Sequence, residues 1–375
     1  MKIAFYAPMK PPDDPVISGD RETARLILKA LEAEGHTVEI VSRLRTWQRT
    51  PEQTRFDTLE DESTKESRRL QDKWGEGGAP PDLWITYHLY HKAPDWLGPA
   101  VTDALAIPYV VLEGCRAAKH ETGPWAAGFA QADRALAAAD AVAAMHAEDA
   151  EGLVPLLDPG RLFRLTPFID AARFEDAAAS DRWNDPPVLV AVAMMRAGDK
   201  EKSYRLLAES LSRIINKPWR LLLAGDGARR GYTATLFPED RLDWRGKVAP
   251  EDIAGIYAAG DLFVWPAINE AFGVALMEAQ AAGLPVVAGD SGGVPDIVLN
   301  GETGIVVREG DADAFAEAVS HLLEDAALRR DFGAAAASHI RARHDLASAR
   351  KELTGILDAA VRTNAARWSA SAGAA

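Results

Sequence analysis

The sequence predicts an α/β protein made of two doubly wound domains facing a central cleft. Three observations lead there. At 375 residues the chain exceeds what one hydrophobic core organises. Short apolar runs of strand length alternate with longer amphipathic stretches through most of it. The pattern also opens twice, at Met1 to Pro8 and again at Val188 to Val192, on either side of a charged, alanine- and proline-bearing stretch. The expected divisions are residues 1–170, a linker at 171–187, residues 188–345, and a helical tail at 346–375.

In the first domain Lys10 to Asp20 is too rich in proline for regular structure. Arg21 to Glu34 follows as an amphipathic helix with Ala24, Leu26, Ile27, Leu28 and Leu31 inward, closed by Gly35, and Thr37 to Ser42 is the second strand. Ser18-Gly19 at the helix start suits a phosphate approach or a plain N-cap. Residues 43–75 set Arg43, Arg45, Arg49, Arg55, Lys65, Arg68 and Arg69 among several acids and Trp47. That segment reads either as a solvated loop and helix or as a place for acceptor selection or membrane contact. Asp82 to His88, Ile107 to Gly114, Asp140 to Ala144 and Arg161 to Pro167 supply further strands, with a helix at Trp125 to Ala139.

The second domain restarts at Val188, passes the polar stretch Arg196 to Ser203 into a helix ending near Ile214, and continues with strands at Trp219 to Ala224 and Leu242 to Val248. Asp261 to Pro266 is a buried strand stopped by proline, followed by a loop, a helix from about Phe272, Gly283 as its C-cap and the strand Leu284 to Ala288. That βαβ unit carries Glu270 in the loop and Glu278 on the helix. An eight-residue helical separation is about 12 Å, too long for a glycosidase pair, whose carboxyls lie roughly 5 to 9.5 Å apart. It suits two carboxylates gripping different hydroxylated parts of one long ligand. The N–H groups of Phe272, Gly273 and Val274 at the helix start could hold an anion between them. Two exposed helix glutamates are the plain alternative.

Composition narrows the function. A net charge of -14 argues against a nucleic-acid binder and gives no global attraction to anionic membranes. Cys115 is the single cysteine, which excludes an internal disulfide, suits a reducing compartment and leaves no zinc spacing, so neither metal nor cofactor is expected. The opening apolar run is too short for a signal peptide, and no stretch approaches the roughly 18 apolar residues of a membrane span. A cytoplasmic protein is expected.

Glu270-Ala271-Phe272-Gly273 with Glu278 resembles the Glu-x7-Glu signature of the retaining glycosyltransferases of family 4. Tyr257 to Asp261, Ala281 to Val287, Gly292 to Asp296 and Asn300 to Gly304 fall in the same family's order and spacing. The resemblance is strong over about residues 188–345. Over the first 170 residues it rests on Ser18-Gly19, the Gly35-His36 helix end and strand order. It implies the GT-B fold of two Rossmann-like domains and a nucleotide-diphosphate sugar as donor. By position it implies Glu278 on the ribose hydroxyls, Glu270 facing the transferred sugar, and the backbone at Phe272, Gly273 and Val274 on the sugar and diphosphate. Arg196 and either Lys200 or Lys202 would neutralise the leaving diphosphate, Gly19 would approach the donor phosphates, and Gly246, Lys247 and Val248 with Phe272 would bear on donor choice. Two fixed cations and helix-end N–H groups lower the barrier to breaking a sugar–diphosphate bond without a metal.

Two departures stand out. Many members carry a histidine after a first-domain strand where this chain has Glu113, which can accept a hydrogen bond from a sugar hydroxyl or act as a base. His88 or His91 could supply an imidazole instead, and His88 also reads as a buried structural residue. Pro167-Phe168-Ile169-Asp170 replaces the family's usual Asn-Gly before the interdomain link. The expectation is a metal-independent retaining hexosyltransferase acting on a glycan, glycolipid or small-molecule acceptor, with Glu270, Arg196, Lys200 or Lys202, and Glu113 as its catalytic set. No nucleic-acid partner is expected, and peripheral contact with the inner membrane face through 43–75 stays open. Rivals are another GT-B chemistry, an epimerase or phosphorylase, and a nucleotide-sugar binder without turnover. A dehydrogenase is disfavoured because neither opening loop spells Gly-x-Gly-x-x-Gly.

Overall fold

A computed structural model describes every residue except 17, 76, 179–183, 271–272 and 374–375. The chain divides into two compact units, residues 1–166 with 346–375, and residues 167–345. Each is built on a six-stranded, wholly parallel sheet.

In the first unit the strands are β1 (Lys2–Tyr6), β2 (Thr37–Ser42), β3 (Leu83–Leu89), β4 (Tyr109–Gly114), β5 (Ala141–Ala144) and β6 (Leu162–Arg164), in the order β2-β1-β3-β4-β5-β6. β3 and β4 are almost continuously buried, as central parallel strands covered on both faces must be. The order reverses beside β1, so the loops leaving β1 and β3 diverge and open a crevice at the carboxyl ends of those strands. The helix Gly19–Ala33 begins at that edge. Ser18 caps it by accepting the Arg21 N–H at 3.3 Å, and Thr23, Ala24, Ile27, Ala30 and Leu31 form its buried stripe. Leu26 and Leu28, expected in the core, are only half-buried because they flank that stripe.

The arginine-bearing segment becomes the helix Gln53–Gly75, which buries Phe56, Leu59, Ser63, Ser67, Leu70 and Trp74 along one face. Residues 346–375, expected as a separate tail, pack on the first unit as the helix Leu346–Gly373. Glu352 accepts the Thr166 N–H and hydroxyl at 2.7 and 2.9 Å, and Arg350 meets Glu34 at 2.5 Å. Ala349, Leu353, Ile356, Leu357 and Ala360 form its buried stripe, a narrow face whose docking partner the sequence did not name.

In the second unit β7 (Val188–Val192), β8 (Arg220–Ala224), β9 (Leu242–Gly246), β10 (Leu262–Trp265), β11 (Val286–Asp290) and β12 (Gly304–Arg308) lie in the order β12-β11-β10-β7-β8-β9. The reversal here lies between β7 and β10, so the loops at 193–198 and 266–273 frame the crevice. The first half of the expected linker is part of this unit's core: Ala171–Phe174 and Glu175–Ala178 are helical turns, and Phe174 packs edge-on against Tyr257. Trp183 lies outside the described residues. Among the described residues no helix is long and apolar enough to cross a membrane.

Asp261 fixes the start of β7. This carboxylate is 1% exposed and accepts the backbone N–H groups of Asn184 and Val188 at 3.2 and 2.7 Å and the Asn184 amide at 3.0 Å. Asp261→Ala strands those donors, so the urea midpoint of the second unit should fall by an amount equivalent to about 2–3 kcal/mol. Equilibrium unfolding followed by tryptophan fluorescence checks this.

Candidate active site

The second unit brings Glu270 and Lys200 together. Their side chains are 15% and 19% exposed, and the Lys200 Nζ is ion-paired to Glu270 Oε2. The same oxygen accepts the Trp265 indole N–H at 3.1 Å, and the Lys200 ammonium lies 5.4 Å from the Trp265 ring centroid. Trp265 ends β10 and Lys200 lies in the first turn of the helix Asp199–Arg213, so both come from the edges of the strand-order reversal. The loop between them is held in an unusual shape. Ala267 and Asn269 adopt left-handed φ values of 56° and 48°, conformations that cost a non-glycine residue about 1–3 kcal/mol. Its backbone is pinned by hydrogen bonds: the Ile268 N–H donates to Ser203 Oγ at 3.1 Å, and the Glu270 N–H to Ser291 Oγ at 3.2 Å.

The remaining candidates separate by exposure. Lys202 is 67% exposed and pairs with Asp199 at 2.9 Å, while Asn269 donates to the other oxygen of Asp199 at 3.0 Å. Those contacts hold the Asp199 carboxyl below its ordinary range, the Asn269 amide foremost. Arg196 is exposed, and among the described residues it makes no hydrogen bond or ion pair. Gly273 precedes the helix Val274–Ala281 with φ 58°, where an added Cβ would press on Leu276 and Ile297 at 2.8 and 2.9 Å. Phe272 lies outside the described residues, and the helix begins two positions later than the sequence suggests. Glu278 Oε2 accepts the hydroxyl of the buried Tyr257 at 2.8 Å. Gly246 ends the edge strand β9 at φ 67°, its carbonyl accepts the Gly225 N–H at 2.8 Å, and Lys247 and Val248 follow in the loop.

The first unit holds a second charged cluster at the ends of β3 and β4. His88 and Glu113 both adopt φ 59°. His88 Nδ1 lies 3.1 Å from Asp20 Oδ1 and 3.4 Å from Glu113 Oε1, at ion-pair distance without hydrogen-bond alignment. Burial alone would lower the His88 imidazole, but Glu113 and Asp20 together outweigh it and push the pKa up to about 9. Asp20 is held below its ordinary value by His88 against its own burial. Glu113 is pushed up to about 7 because desolvation exceeds the attraction of His88. His91 sits apart, stacked 3.9 Å from His120 and pushed down to about 4 by burial and neighbouring cations. Gly19 is exposed at the start of its helix, and an added Cβ there would meet nothing within 4 Å.

Sequence reasoning did not single out Trp265, Ser203, Ser291 or Asp20. Trp265 carried a signal, an indole at the last position of a buried strand just before Glu270. The other three read as ordinary helix and loop residues. Among the described residues no three His, Cys, Asp or Glu side chains converge as a metal site.

Residues 186–325 match the family described as Glycosyl transferases group 1. The group 1 span contains Arg196, Lys200, Lys202, Glu270 and Glu278. A D-inositol 3-phosphate glycosyltransferase of Corynebacterium diphtheriae is 35% identical over 147 residues, covering 37% of this chain and 34% of that protein. The corresponding protein of Rhodococcus erythropolis is 27% identical over 284 residues, covering 69% and 64%. The sulfoquinovosyl transferase SQD2 of Arabidopsis thaliana is 33% identical over 139 residues, covering 36% and 27%. The chain thus spans from about a quarter to under two thirds of the length of these relatives. Among solved structures, sucrose-phosphate synthase from Thermosynechococcus elongatus superposes with a TM-score of 0.72 at 21% identity, covering 95% of this chain and 98% of that one. Anabaena Alr3699/HepE, solved with UDP and glucose, gives 0.69 at 17% identity, covering 96% and 99%. These likenesses give the chain the GT-B fold.

The charges around His88 predict a pH signature. A histidine whose folded pKa is raised contributes stability that is full below its unfolded value of about 6.5 and is lost as pH rises through about 9. Melting temperature should therefore fall across that window. His88→Asn, which tolerates the left-handed backbone, should flatten the decline, and an imidazole NMR titration should place the His88 midpoint well above that of a free histidine.

Proposed function

We propose that the chain is a retaining glycosyltransferase that moves a hexose from a nucleotide-diphosphate sugar to a hydroxylated acceptor. One observation carries the reading: the Glu270–Lys200 pair locked by Trp265, beside the unpaired Arg196, on the two loops that leave β7 and β10 inside the group 1 span. Breaking the sugar–diphosphate bond places negative charge on the departing phosphate. Lys200 is already partnered, so it holds Glu270 in place toward the sugar. Arg196, exposed and without a partner among the described residues, is free to swing onto the diphosphate, and the exposed Lys202 reaches it by leaving its surface pair with Asp199. The helix start at Gly273 and Val274 adds N–H groups, which the first turn of a helix leaves without intrahelical partners. Glu278 takes the ribose hydroxyls, with Phe272 and the loop at Gly246, Lys247 and Val248 bordering the base and sugar. Gly19, with open space at its Cα, admits a phosphate to the first unit's helix start. Because the Anabaena neighbour was solved with UDP and glucose, a uridine diphosphate sugar is the first donor to test.

Calorimetry with uridine and guanosine diphosphate sugars should show binding of one class, and NMR of that mixture should show slow hydrolysis. Glu270→Gln and Arg196→Ala should each lower turnover by about 10²-fold or more with an unchanged circular dichroism spectrum. Full turnover in both variants sinks the assignment.

We infer an acceptor in solution rather than on an anionic membrane. Arg43 pairs with Asp13, Arg45 with Asp14, Arg55 with Glu62, Arg69 with Glu66 and Lys73 with Glu39, so most of the cations around the 43–75 segment are already compensated. In a flotation assay the protein should stay with the soluble fraction whether or not the vesicles carry phosphatidylserine. Salt-sensitive flotation with the anionic vesicles alone would restore the membrane reading.

A further inference from the structure

Trp265 is mounted on a strand, and the carboxylate it touches on a loop. It closes β10, where its main chain pairs with Ala288 of β11, and it is 2% exposed. Its ring meets Tyr204 edge-on at 5.0 Å, and the Tyr204 hydroxyl donates to the Ala193 carbonyl at 2.7 Å, so the indole is fixed from two sides. A buried indole N–H needs an acceptor. Trp219 and Trp244 find theirs in main-chain carbonyls, those of Ile214 and Gly225. Trp265 gives its N–H to the Glu270 carboxylate five residues on, at 3.1 Å.

The result is an asymmetric carboxylate. Each carboxylate oxygen offers about two lone pairs. On Oε2 one meets the Lys200 ammonium and the other the indole, whereas Oε1 accepts no hydrogen bond among the described residues. We propose that Trp265 is a positioning residue that sets sugar specificity: with Lys200 it saturates Oε2, and the one oxygen left, Oε1, reads a single hydroxyl of the transferred sugar. This rests on the glycosyltransferase reading above, with Glu270 toward the sugar. A grip on two neighbouring hydroxyls, one to each oxygen, is closed to this carboxylate. Lys200 alone would not impose that, because an ammonium on a flexible stem follows the carboxylate as it turns. The indole N–H has one direction, set by the strand. The left-handed Ala267 and Asn269 and the Ser291 contact to the Glu270 N–H hold the other end of the side chain.

The test is calorimetry with UDP-glucose and its monodeoxy-glucose counterparts, or the deoxy series of whichever nucleotide sugar the screen selects. At least one deoxy donor should bind the intact protein about 10²-fold more weakly than the parent, the loss expected for a hydrogen bond to a charged group. Trp265→Phe keeps an aromatic ring beside Lys200 and Tyr204 and removes the N–H. In that variant the parent donor should weaken and the penalty of one deoxy donor should shrink to under about tenfold, with the other penalties unchanged. A merely structural role would weaken every donor alike and move no ratio. Benzothienylalanine at position 265, which keeps the bicyclic shape and lacks the N–H, should give the same result and covers the case in which the phenylalanine variant does not fold. Donor binding with no penalty anywhere in the series, with ratios unmoved in the isostere, or with two penalties falling together overturns the inference alone. Failure of the wild-type protein to bind any nucleotide sugar removes the glycosyltransferase reading and the inference with it.

Discussion

Everything of chemical interest in this protein follows from one topological constraint, the reversal of strand order beside the first strand of each all-parallel sheet. A right-handed crossover carries the chain to one side of β1 or β7, and a later crossover carries it to the other. The loops at the carboxyl ends of the two strands flanking the reversal must then part company, leaving backbone and side chains there uncovered by any crossover helix. In the second unit Glu270 lies on one of these loops and Lys200 in the first turn of the helix that follows the other. In the first, His88 lies near the end of β3 and Asp20 in the first turn of the helix Gly19–Ala33. Neither cluster needed a dedicated scaffold, because the sheet order had already set the ground.

What the scaffold does not supply is orientation, and the chain obtains that through local strain. Ala267, Asn269, His88 and Glu113 are left-handed without being glycine. The neighbouring hydrogen bonds hold the second-unit loop against relaxation: Ser203 and Ser291 each accept one of its backbone N–H groups. Each is a small hydroxyl on an adjoining element, which lets the loop be gripped without filling the space in front of Glu270. Stability in this region is therefore spent on direction, not on burial.

The sequence made much of this legible. Alternating apolar runs and amphipathic stretches gave both sheets, and the Glu270–Glu278 segment located one edge of the second unit's crevice before any coordinates. The boundaries of short strands and the tail were less legible for identifiable reasons. Residues 346–375 dock on the first unit through Ala349, Leu353, Ile356, Leu357 and Ala360, with the exposed Arg350–Glu34 pair across 316 residues at the rim, and an apolar stripe by itself does not say which unit it will cover. The choice between Lys200 and Lys202 was equally closed to sequence. Both stand in one helical turn, and either fits the sequence pattern. Yet the distinction is made by Trp265, whose ring and indole N–H capture Lys200 and Glu270 together. Glu113 was legible as a departure that could accept a hydrogen bond or act as a base, but nothing in the order of residues says that His88 lies against it.

The two clusters use the same parts in opposite ways. In each, a carboxylate meets a cation from a neighbouring element. In the second unit Glu270 Oε2 is shared between an ammonium and an indole N–H, so the carboxylate is restrained and its charge answered. In the first, the imidazole lies between two carboxylates, Asp20 competes for it, and Glu113 keeps one oxygen without a partner. A carboxylate answered on both counts is held in one orientation. One answered by half and largely desolvated loses less on taking up a proton, which is why burial can carry Glu113 toward neutrality. The two carboxylates thus differ in how their charge is answered, Glu270 by an ammonium and an indole N–H, Glu113 by an imidazole it shares with Asp20.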